Sequence, residues 1–123
     1  MQKEFITYTQ ALALKELGFD EPCFAVYYNT KEFKTYTGAW VKFNSKFDGR
    51  GVISAPLYQQ AFRWFRENHN LKTYIIPIEY LDGTQETYQW NVFNECHSGV
   101  EQLTYEEAES ACLDKLIEIV KKT

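Results

Sequence analysis

No run of apolar residues approaches the roughly 18 that a membrane span requires, so no membrane crossing is expected. Basic charge is scarce. Thirteen Lys and Arg stand against 17 Asp and Glu, a net charge of −4, which excludes a general nucleic-acid binder while leaving room for a local basic site. Cysteine is sparse and odd in number: Cys23, Cys96 and Cys112 are scattered, which fits reduced thiols in a cytosol and not a disulfide framework. No CxxC or HxxxH spacing ties them to His69 or His97, and adjacent residues such as Cys96 and His97 seldom bind one tetrahedral zinc. No metal site is expected. Nor does Cys96–His97 suit a nucleophile and its base, because neighbours in a strand point apart. The start, Met1-Gln2-Lys3-Glu4-Phe5, lacks the pattern of a signal peptide. A cytoplasmic protein is the expectation.

Aromatic residues are abundant, at 17% of the chain. Rings with polar tips suit binding surfaces, but a large aromatic core explains the same count and is the simpler account. The apolar fraction of 45% and the length of 123 residues suffice for one domain with a real core.

The stretch Ala55 to Asn68 organises the rest. Ser54 is a candidate N-cap, and Pro56 falls in the first turn, where its missing N–H costs nothing. At about 100° per residue, Leu57, Tyr58, Ala61, Phe62, Trp64 and Phe65 lie within an arc of about 160°. Gln59, Gln60, Arg63, Arg66 and Glu67 fill the other side, which reads as a solvated face.

Upstream, Thr7 and Gln10 are spaced as a capping box. A helix follows to about Leu17, closed by Gly18, with Phe19 folding back. Its apolar residues are spread widely, as in a helix packed on more than one side. Cys23 to Tyr28 has strand composition, Asn29 to Glu32 a hairpin connection, and Phe33 to Thr37 with Ala39 to Phe43 the returning strand, bent at Gly38. Asn44 to Gly51 reads as the longest loop. Beyond the central helix, Tyr74, Ile76 and Ile78 alternate, and Pro77 implies a strand edge. A two-residue turn at Asp82-Gly83 would set Ile76 against Gln89 and Ile78 against Thr87. A three-residue turn, Leu81 to Gly83, sets Tyr74 against Trp90 and Ile76 against Tyr88, and this second register is expected. The partner strand runs from about Thr84 to Phe93, and Asn94 to Gly99 is a loop. A second capping box, Thr104 to Glu107, opens a helix reaching about Lys121. It buries Tyr105, Ala108, Cys112, Leu116, Ile119 and Val120, with end charges that suit the helix dipole.

The three helices open alike, as Tyr-x-Gln/Glu-Ala at Tyr8, Tyr58 and Tyr105. One start solved three times explains so short a match better than a duplication.

One loop could hold a small ligand. Ser45, Lys46, Arg50, Gly51 and Ser54 surround the approach to the central helix, where free N–H groups favour an anion and glycine admits a phosphate. The pattern is neither a Walker A loop nor a dinucleotide fingerprint. Glu106, Glu107 and Glu109 share a turn and are explained by the helix dipole; Glu79, Glu86 and Glu95 are isolated. No catalytic set assembles, and no cofactor is expected.

Three blocks carry a resemblance. Gln10 to Cys23 (QALALKELGFDEPC) resembles the opening of a family of short proteins of Bacteroides-type genomes, their prophages and phages. Ala55 to Glu67 (APLYQQAFRWFRE) is similar to its central motif, and Tyr105 to Lys121 (YEEAESACLDKLIEIVK) to its closing helix. The hairpins between carry none of it. Ser110 and Asp114 depart from the family pattern, both on the polar side of that helix. The resemblance implies a phage or mobile-element origin and supplies no catalytic residues.

The expectation is therefore one α+β domain in the order α-ββ-α-ββ-α, with about four mainly antiparallel strands packed with three helices. Its expected role is that of a non-enzymatic binding protein acting on a host or viral protein, with homo-oligomerisation left open. The alternative is a small-ligand binder using loop 45–51.

Overall fold

A computed structural model of the chain describes residues 2–36, 38, 40–46, 49–79, 86–93, 97–99 and 101–122. It divides into two compact units, Met1–Ala61 and Phe62–Thr123. Each combines helix with a three-stranded antiparallel sheet, so the α+β class holds.

In the first unit, Thr7 caps helix α1 (Tyr8–Glu16) through the expected reciprocal box: Gln10 N–H donates to Thr7 Oγ1 at 3.2 Å, and Thr7 N–H to Gln10 Oε1 at 2.9 Å. The helix stops where Gly18 takes φ +98°. Gly18 N–H then reaches Lys15 O and Phe19 N–H reaches Leu14 O, the paired bonds of a Schellman end, and Phe19 is buried beneath them.

Strand β1 (Ala25–Tyr28) lies between β2 (Phe33–Thr35) and β3 (Val52–Ser54). The β1–β2 hairpin closes as expected between Tyr28 and Glu32, with Lys31 in the left-handed region. Two expectations fail here. Phe43 does not end a strand; it begins a short helix, α2 (Phe43–Lys46), within what reads as loop. The following residues add β3, too short to carry a periodic signal. The returning strand leaves the sheet after Thr35; Thr37 and Ala39 lie outside the described residues, and Val41 forms a single bridge to Cys23.

Helix α3 (Tyr58–His69) starts three residues later than a Ser54 cap would place it, since Ser54 belongs to β3 opposite Val26. Tyr58, Ala61, Trp64 and Phe65 are buried, as the aromatic arc requires. Burying a side chain such as Phe65 stabilises by about 1.5–3 kcal/mol. Gln60 is the exception to the polar face. It is 8% exposed because its amide donates to Pro22 O at 2.7 Å.

In the second unit, β5 (Thr87–Val92) lies between β4 (Thr73–Ile78) and β6 (His97–Ser98). Strand β6 falls in an expected loop, which raises the total to six strands among the described residues. The β4–β5 register is the rejected one: Ile76 faces Gln89 and Ile78 faces Thr87, while Ile75 faces Trp90. Turn residues Leu81 to Gly83 lie outside the described residues. Apolar residues occupy both parities of Tyr74 to Ile78, so alternation does not choose the inner face. Buried Trp90 and Val92 choose it, and a slip of one residue exchanges every side chain between faces.

Helix α4 (Tyr105–Lys122) covers that inner face. Its Cys112 is hydrogen-bonded to the Thr73 side chain, and the Tyr105 and Tyr88 rings meet edge to face at 5.8 Å. Thr104 caps it by accepting Glu107 N–H. The buried face is Ala108, Cys112, Leu113, Leu116 and Ile117, rotated from the expected one: Tyr105 is largely exposed, and Leu113 and Ile117 are inside.

Candidate functional site

The loop singled out for an anion is distributed over three elements. Ser45 and Lys46 sit on α2, Arg50 and Gly51 in the turn after it, and Ser54 on β3. A strand and the Ala55–Leu57 segment separate this turn from α3, so the turn does not feed that helix's N-terminus. Ser54 is 1% exposed and bound within the unit: Asn44 N–H donates to its Oγ at 3.2 Å, and its own N–H donates to Asn44 Oδ1 at 2.9 Å. Ser45 N–H is taken by the Asp20 carboxylate at 3.0 Å, which puts a negative group at the start of α2. Gly51 has φ +72° and accepts Asn29 N–H through its carbonyl at 2.9 Å. Lys46 and Arg50 are exposed.

The thiols are not poised to react. Burial pushes Cys23 up to about 12, and burial likewise pushes Cys112 up to about 12, so both stay protonated at neutral pH. The two belong to different units. Cys96 and Glu95 lie outside the described residues, and no cluster of three or more His, Cys, Asp or Glu forms among the described ones. His69 lies against the Trp64 and Phe65 rings, at 5.1 and 5.8 Å between centroids.

In the acidic turn, the Glu109 carboxyl is displaced upward. Burial, then the nearby Glu106 charge, raises it to about 7. It lies on a half-buried helix face beside Tyr105 and Cys112, whose own groups are raised first by burial and then by the Glu109 charge.

A feature hidden in the sequence is a pair of exposed rings in the first unit. The single Cys23–Val41 bridge brings Trp40 back beside Phe24, whose carbonyl accepts Tyr36 N–H. Cys23 and Ala25 point into the core, so Phe24 between them points out. Phe24 is 42% exposed, Trp40 is 51% exposed, and their ring centroids are 4.4 Å apart. The period-two alternation around Phe24 could have revealed its direction; the partner strand's register could not be read locally. Part of the aromatic surplus is core: Phe5, Phe19, Tyr27, Phe43, Tyr58, Trp64, Phe65 and Trp90 are buried.

No helix of the described residues is long and apolar enough to cross a membrane. The chain matches no family model, no curated protein and no solved structure.

Proposed function

We propose that this chain is a non-enzymatic binding protein of phage or mobile-element origin, acting on a host or viral protein in the cytoplasm. The tilted Phe24–Trp40 pair carries the reading. Two large rings held together on the surface offer apolar area that the fold itself leaves uncovered, and aromatic anchors of this kind dominate protein interfaces. The three sequence blocks support the origin. The test is quantitative affinity capture from phage-infected host cells, comparing the native chain with the Phe24→Ala/Trp40→Ala variant. Circular dichroism of the variant checks that it keeps the native fold. The variant is expected to lose the specific partner, and equal recovery of the same proteins by both chains refutes the reading.

A second reading keeps the anion site. Gly49 and Gly51, both left-handed, flank Arg50 and shape a turn that presents its guanidinium to solvent. Titration calorimetry with a nucleotide, before and after Arg50→Ala, decides it: affinity that survives the substitution removes this turn as the site.

A further inference from the structure

Strand β4 is an edge whose free side matches itself. Phe93 N–H donates to Lys72 O at 2.7 Å, which fixes the phase of the β4–β5 ladder. Tyr74, Ile76 and Ile78 therefore bond to β5, and the backbone groups of Thr73, Ile75 and Pro77 point the other way. No backbone partner meets them among the described residues. Pro77 fits this phase, because its position is one where a donor would otherwise face outward. The strand, TYIIPI, carries no charge, although charge is a usual means of blunting an edge. On the face away from α4, Tyr74 is 47% exposed and Ile76 is 39% exposed.

We infer that a second copy of this chain pairs antiparallel with β4 about a two-fold axis at Ile75. In that register Ile75 N–H and C=O exchange bonds with the other copy's Ile75. Each Thr73 N–H donates to the other copy's Pro77 carbonyl, and the missing proline donor falls at the strand's rim, where water reaches the Thr73 carbonyl. The same register sets Tyr74 opposite the other copy's Ile76, and this happens twice by symmetry. Both exposed apolar residues are thus covered by each other. An axis at Tyr74 sets Tyr74 against itself and Ile76 against Lys72, whereas an axis at Ile76 sets Ile76 against itself and Tyr74 against Ile78 but places Pro77, which has no donor, against the Ile75 carbonyl in the middle of the ladder. This inference concerns the second unit and is independent of the Phe24–Trp40 reading.

Sedimentation velocity of the full chain over a range of concentrations tests it. A dimer is expected. Tyr74→Lys/Ile76→Lys sets like charges across the axis and is expected to weaken the dimer about tenfold or more. Tyr74→Glu/Ile76→Lys sets opposite charges across the same axis and is expected to recover the dimer at low salt and lose it at high salt. A native chain that stays monomeric at every concentration overturns the inference, as does a dimer indifferent to the introduced lysines. If the lysine variant fails to fold by circular dichroism, hydrogen exchange of the native chain decides. The Thr73 and Ile75 amides must become protected as concentration rises, and constant exchange there refutes the pairing.

Discussion

The two units build similar sheets by different means. The first is tied by buried polar side chains. Asn44 accepts from Ser54 N–H and donates to Phe19 O, Gln60 donates to Pro22 O, and Tyr27 Oη donates to Ile6 O. Its elements are short, and these bonds join residues 10 to 38 positions apart in sequence. The second unit rests on one 18-residue helix laid on a sheet, with an apolar face of Ala108, Leu113, Leu116 and Ile117. Hydrogen bonds demand particular atoms at particular places, whereas apolar burial demands only area. The first unit should therefore fail at single polar atoms, and the second through shape.

The largest expected effect breaks the first mode. Asn44→Ala removes both side-chain bonds and leaves Ser54 N–H and Phe19 C=O buried without them. A loss of about 3 kcal/mol is expected in chemical denaturation. The next breaks the second mode by shape. A Cβ at Gly99 would run into the Trp90 indole, which is itself buried. Gly99→Ala is expected to cost about 2 kcal/mol, read from the same curves. In contrast with Asn44, the harm comes from adding an atom.

The smallest effect concerns charge in the second unit. The Glu109 carboxyl rises from an ordinary 4.5 to about 7 on folding. The folded chain thus holds this proton more tightly than the unfolded chain. Glu109 is neutral in both states below about 4.5, and its ionisation lowers stability as pH rises through about 7. Glu109→Gln is expected to raise the melting temperature at pH values above this window and to leave it nearly unchanged below. A variant with the same shift at both extremes would show that the carboxyl's charge is not the cause.

The repeated helix start shows how far local reading goes. Tyr8, Tyr58 and Tyr105 are each the first residue of a helix, and Ala11, Ala61 and Ala108 are each fully buried. The third residue does not behave alike in all three. Gln10 and Glu107 fold back onto Thr7 and Thr104. Gln60 has Leu57 where the others have threonine, and its amide reaches Pro22 instead. A residue that looks like solvated surface is thereby turned into a buried tie. Ser54 leaves its expected place at a helix start for a similar reason: it has the composition of a cap, but Asn44 and Val26 claim it for the sheet.

The sequence by itself determined the α+β class, the main helices, the Thr7–Gln10 cap, the Gly18 end and the edge character of the strand bearing Pro77. Each follows from neighbours within a few residues, where propensity, capping and φ preference act. Only the tertiary structure decided the β4 register, strands β3 and β6, the burial of Gln60 and the meeting of Phe24 with Trp40. Each of these depends on a partner distant in the chain or on a strand too short for a period, and no local pattern specifies which distant atom arrives.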